Sequence, residues 1–153
     1  MEAEKGYKLG GFKIIPFKVY HDVPTFGFLI SHPETGSILF ATDTFMLDYN
    51  FPGLSHVILE ANYADDIVEE NIISGKLFSG MRARLMETHM EIQTTKNILS
   101  EMDLTKVMNI VLIHLSSGNS DRARFITEIQ RVSGKQVYAA QKGMEIDFNK
   151  QPY

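Results

Sequence analysis

The sequence has no cysteine, so it forms no disulfide and offers no thiolate to a metal. Any transition ion must then be held by imidazole and carboxylate. Tryptophan is missing too, and there are only five prolines. No apolar run approaches the ~20 residues that a membrane-spanning helix requires. The opening Met1-Glu2-Ala3-Glu4-Lys5 carries none of the apolar core of a signal peptide. A cytoplasmic protein with no membrane partner is therefore expected. Positive charge is also in short supply: 15 Lys and Arg stand against 19 Asp and Glu, a net charge of -4. That excludes the overall basic footprint of a non-specific nucleic-acid binder and leaves room for a local basic groove only.

What remains is the composition of an ordinary folded domain: 153 residues, 44% hydrophobic and 22% charged, enough for one core. Residues 1–11 are polar and glycine-bearing, and are expected to be a flexible N-terminal segment ahead of a single domain over 12–153. Phe12 to Tyr20 alternates as a strand does. Thr25 to Ser31 and Ser37 to Thr42 flank His32-Pro33-Glu34-Thr35-Gly36, a turn signal that predicts a hairpin. His56 to Glu60 reads as a short buried strand ending on an acid. Met108 to Leu115 is a continuous apolar run, the pattern of a central strand covered on both faces.

Helical spacing runs through Tyr63 to Leu77 and again through Thr88 to Glu101. Ser120 and Asp121 open a third helix, and Gly134 ends it. Val137 to Ala140 and Met144 to Phe148 are predicted as two closing strands. Strands dominate first and alternate with helices later. The fold class is α/β (α+β), with a mixed sheet and helices on one face. The other face needs a cover from elsewhere.

Three polar residues each follow a strand-like apolar run: His21 in Tyr20-His21-Asp22, Asp43 in Thr42-Asp43-Thr44, and His114 in Ile113-His114-Leu115-Ser116. Sites collect at the carboxyl edge of α/β sheets. Each residue alone also has a plain structural reading: a loop histidine, a turn-initiating aspartate, a histidine bonding the next loop. In one order and one context they point to a metal site, because imidazole nitrogen and carboxylate oxygen are donors that zinc, manganese and iron accept. Glu60 and His89 extend the set as an acid–imidazole pair able to hold a proton for a leaving group. His32, in the turn, and His56, at a strand start, are read as structural. The basic Met81-Arg82-Ala83-Arg84 is read as a solvated loop, with phosphate or carboxylate contact as its functional alternative.

These motifs together resemble the C-terminal part of the metallo-β-lactamase fold, nearest its nucleic-acid-processing branch: tRNase Z, the RNase J group and the YycJ-like phosphodiesterases. In that family a lone ligand histidine precedes a proline-containing hairpin, as in His21-Asp22-Val23-Pro24. A bridging aspartate lies between threonines, as Asp43 does, and the last ligand histidine lies in a context like His114-Leu115-Ser116. The tRNase Z branch adds an acid in a setting like Glu60-Ala61-Asn62 and a histidine opening a helix, as His89 does. The resemblance spans roughly residues 12–148.

It implies half of an αββα sandwich, with His21, Asp43 and His114 as metal ligands and His89 with Glu60 as a proton-transfer pair. The family's first half, with its His-x-His-x-Asp-His ligands, has no counterpart: no two of the five histidines lie two apart. Phe45 follows Thr44 where a glycine is usual, and Met90-Glu91 follows His89 in place of small polar residues. The expected cofactor is Zn2+, with Mn2+ or Fe2+ as alternatives, needing ligands from a missing N-terminal half or a second copy of the chain. The expected activity is hydrolysis of a phosphodiester, nucleic acid included. The alternative is a non-catalytic half-fold that dimerises as an interaction or structural module.

Overall fold

The structure is a computed structural model, and it describes residues 2–150. Strands β1 (Tyr7–Leu9), β2 (Phe12–Val19), β3 (Thr25–His32) and β4 (Gly36–Ala41) form an antiparallel meander. Strands β5 (His56–Glu60), β6 (Asn109–Ile113) and β7 (Gln136–Ala139) then add in parallel to β4, so the sheet order is β1 to β7 without a swap. Helices α1 (Asp65–Ile73), α2 (Gly80–Thr88) and α3 (Ile92–Glu101) lie between β5 and β6, and α4 (Arg122–Ser133) lies between β6 and β7.

Every parallel crossover steps the same way along the sheet. Right-handed crossovers then place all four helices on one face, as the burial pattern shows. On that face Leu39, Val57, Leu59, Ile110, Leu112, Val137 and Ala139 pack with Met90, Ile92, Leu99, Phe125 and Ile129 into a single core. The 42–55 connection covers the meander end of the same face, where Phe17 meets Tyr49 and Phe51 with ring centroids 4.8 and 4.9 Å away. Gly27 sits beneath the Phe17 ring, and a Cβ there would lie 2.3 Å from it. Gly134 takes the left-handed φ of 65° that ends α4, as the sequence predicts.

The opposite face carries no helix. Phe26, Phe28, Ile30, Phe40, Ile58 and Ile113 point to it and remain partly exposed. One corner is covered by residues 144–150, which run as an extended tail rather than the predicted strand. Its anchor is His56, stacked on Phe148 at 4.3 Å. His56 Nε2 donates to the Phe148 carbonyl at 3.0 Å.

Other expectations shift. Tyr7–Leu9, expected to be loose, pairs with β2 because Gly10, at φ 58°, closes a tight hairpin. Residues 80–88, read in part as a basic loop, form α2, in which Arg82 Nε donates to Asp65 Oδ1 at 3.0 Å. The second helical segment of the sequence starts not at Thr88 but at Ile92, where Glu91 caps α3 through the Gln93 N–H. No helix among the described residues is long and apolar enough to cross a membrane.

Burial pushes His56 below its ordinary pKa, against the opposing pull of the Phe148 and Thr35 carbonyls and of Asp147. The unfolded chain takes up this proton near pH 6.5, whereas the folded chain resists it. The stability His56 supports is therefore complete above about pH 6.5 and falls below it. Urea unfolding at a series of pH values should show His56→Gln losing less stability on acidification than the wild type; parallel profiles would contradict this.

Candidate metal centre

Strands β2, β4, β5 and β6 all point the same way, since β3 is antiparallel to both its neighbours. Their carboxyl ends therefore share one edge of the sheet. His21 lies two residues beyond β2, Asp43 two beyond β4, Glu60 ends β5 and His114 directly follows β6. His89, at the C-terminal end of α2, reaches the same edge. All five residues singled out in the sequence thus meet. The His89 and His114 rings are 4.9 Å apart, and those of His21 and His89 are 5.5 Å apart.

Glu60 is at the centre, with a side chain fully removed from solvent. Its Oε1 accepts from His89 Nδ1 at 2.8 Å and lies 3.1 Å from His114 Nδ1. Its Oε2 accepts from the Thr44 backbone N–H at 3.0 Å. Burial raises its pKa to about 7; the Thr44 and Asp43 N–H groups and His114 oppose the rise, and the Asp43 charge adds to it. Burial likewise lowers the pKa of His89, while Asp43 pulls it up. His89 caps the C-terminus of α2 in extended backbone, φ −132°. The negative end of that helix dipole favours an imidazolium, the reverse of the effect at the helix N-terminus expected from sequence.

Asp43, His89 and His114 each present a donor atom, all within 4.8 Å of one another. His21 stands one ring further out. Its Nδ1 lies 3.0 Å from the Thr88 carbonyl, which only accepts, so Nδ1 carries the proton. Its Nε2 is engaged too, 3.1 Å from Asp22 Oδ1, so the ring is held between a carbonyl and a carboxylate. His21 would become a ligand only by exchanging Asp22 for an ion at Nε2, its Nδ1 staying on the Thr88 carbonyl.

Two of these residues are held in a strained backbone. Asp43 has φ 52° and His114 φ 57°, left-handed values without glycine. The surroundings impose this. Asn62 Nδ2 donates to the His114 carbonyl at 2.7 Å. Thr44, fully buried, accepts from the Tyr20 N–H at 3.0 Å and donates to the Met46 carbonyl at 2.7 Å. Thr44 thereby ties the end of β2 to the loop after β4 and to Glu60. Thr44 and Asn62 were not among the sequence candidates; their adjacency to Asp43 and Glu60 was the available signal.

No family model matches the sequence, and no curated protein does either. Solved structures do match. The metallo-β-lactamase fold protein YhfI from Bacillus subtilis superposes with a TM-score of 0.67 at 18% identity, covering 94% of this chain and 53% of that one. The short form of human tRNase Z gives 0.52 at 19% identity, over 93% of this chain and 45% of that one. CmlA, a diiron β-hydroxylase from Streptomyces venezuelae, gives 0.56 at 11% identity, over 90% and 32%. The chain thus spans about half the length of the first of these and less of the others. At such identities the likeness establishes the fold and nothing finer.

The strain at Asp43 is open to measurement. Asp43→Gly removes the left-handed penalty and one negative charge beside Glu60, so metal-free protein should gain about 0.5–1 kcal/mol in urea unfolding. A loss of that size would show that Asp43 is a structural keystone instead.

Proposed function

We propose that this chain, built on the metallo-β-lactamase fold, is a metal-dependent hydrolase acting on phosphodiesters. The observation that supports this most is the convergence of three histidines and two carboxylates on one sheet edge, with a buried acid paired to His89, one of the three clustered donors. The donor set suits the group: two imidazoles and one carboxylate are what zinc, manganese and ferrous iron accept. Asp43 and His114 would hold the ion together with His21, whose Nε2 would leave Asp22 for it. When bound, the ion supplies Lewis acidity and acidifies a water for attack.

The chain's own residues do the rest. Glu60 holds His89 by Nδ1 at 2.8 Å and offsets the cost of a positive charge on the half-buried ring. His89 keeps its Nδ1 proton on Glu60 and gives the proton on Nε2 to the departing alkoxide oxygen. Asn62 and Thr44 hold the His114 and Asp43 backbones, so that neither ligand must reorganise. Three protein donors leave coordination positions open. The remaining donors are assigned to a separate N-terminal half or a second copy of the chain, seated on the helix-free face with its row of half-exposed apolar residues. That same row favours a second reading, a non-catalytic module that dimerises through this face.

Metal analysis of protein purified without chelator or affinity tag decides the roles. His21→Ala and His114→Ala should both lose the ion, whereas His89→Ala keeps it and loses phosphodiester turnover. If His89→Ala loses the ion and His21→Ala keeps it, the cluster of Asp43, His89 and His114 is the ligand set. A protein that takes up no ion, with or without a partner, and sediments as a dimer would support the non-catalytic reading.

A further inference from the structure

An imidazole nitrogen has one in-plane position, which a hydrogen bond or a metal ion can fill but not both. In His21 the position at Nδ1 is taken by the Thr88 carbonyl, 3.0 Å away at the end of α2. The position at Nε2 faces Asp22 Oδ1 at 3.1 Å. The Asp22 carboxylate and an ion therefore compete for the same atom.

The surroundings make that competition easy to reverse. The His21 side chain is 14% exposed, whereas that of Asp22 is 50% exposed. A carboxylate so open to water gains little from its ion pair and gives it up at little cost. A second partner already stands beside it: Asp22 Oδ2 lies 3.9 Å from Arg84 Nη2. Among the described residues Asp22 is the only carboxylate that the Arg84 guanidinium meets.

The backbone that carries Asp22 has no need to move. On one side the Tyr20 N–H donates to Thr44 Oγ1 at 3.0 Å, and on the other Thr25 Oγ1 donates to the Val23 carbonyl at 3.0 Å. The ring of Pro24 fixes the φ between them. Rotation of the Asp22 side chain is enough to leave His21 and close on Arg84. Arg84 stands one turn before Thr88, whose Oγ1 donates to the Arg84 carbonyl at 2.6 Å. The same end of α2 thus holds both the carbonyl that orients His21 and the guanidinium that receives its competitor.

We propose that Asp22 is a positioning residue that gates the ion's access to His21: its carboxylate holds Nε2 until an ion takes that nitrogen, and Arg84 then receives the carboxylate. This rests on His21 acting as a ligand in the function proposed above. The sign of the effect separates a gate from plain charge. By charge alone, a carboxylate beside a divalent ion tightens its binding and a guanidinium loosens it. In a gate the carboxylate loosens the ion and the guanidinium tightens it.

The test is the affinity of the full chain for zinc, measured by competition with a chromophoric chelator, so that no turnover is needed. Asp22→Ala should bind zinc about fivefold more tightly than the wild type, the worth of a half-exposed pair. Arg84→Ala should bind it about twofold more weakly, and that loss should vanish when Asp22 is replaced as well. An Asp22→Ala variant that gains nothing overturns the gate. So does an Arg84→Ala variant that loses nothing, or one whose loss persists without Asp22. His21→Ala separates the two failures. If it binds zinc as the wild type does, His21 is no ligand and the proposed ligand set falls together with the gate. If it binds zinc more weakly while Asp22→Ala gains nothing, the ligand set stands and the gate alone falls.

Discussion

Glu60 ends a strand with its carboxylate withdrawn from water, where an unpaired charge would be worth several kcal/mol against folding. Much of the site follows from answering that charge. The Thr44 N–H must reach it, which fixes the loop after β4 and so places Asp43. His89 and His114 both bring Nδ1 to the same oxygen, which turns two rings from different elements toward one point. Thr95 Oγ1 donates to the Glu60 carbonyl at 2.9 Å, locking α3 to the same residue. An acid introduced for stability alone would not be placed here, since an apolar residue of similar size would hold the core as well or better. Its retention at this edge makes sense as orientation of the imidazoles.

The same edge stores strain. The two left-handed residues, Asp43 and His114, flank Glu60 on the neighbouring strands β4 and β6. In each the left-handed turn comes within two residues of the strand end, and the two side chains meet there, His114 Nδ1 lying 3.5 Å from Asp43 Oδ1. Packing below is tight enough to enforce it: Ala41, Leu59 and Leu112, the last inward-facing residues of the three strands, are all fully buried. The core thus supplies the rigidity on which a low-entropy donor cluster depends.

The sheet was legible because its strands obey simple rules. The hairpin showed in its turn residues, and β6 in an unbroken apolar run. The meeting of His21, Asp43, Glu60 and His114 was legible because each ends or follows a strand, so that topology had only to bring the strand ends together; His89 reaches the same edge from the end of α2. What was hidden depended on long-range contacts. Helix α2 carries polar residues on most faces and only Thr88 is buried, so no apolar period announced it; Arg82 pairing with Asp65 of α1 holds it in place. The 144–148 tail has the alternation of a strand but finds no neighbour to pair with, and stacks on His56 instead.

The fold by itself does not choose the chemistry, since a hydroxylase and a nuclease both superpose on this chain. The choice must come from residues outside the ligand set. In the proposed function a proton donor is needed where a bond is cleaved, and the His89 ring is braced by a buried acid on one side and a helix C-terminus on the other. That bracing is the feature on which the proposed function rests, because it belongs to this chain's own residues and not to the fold it shares.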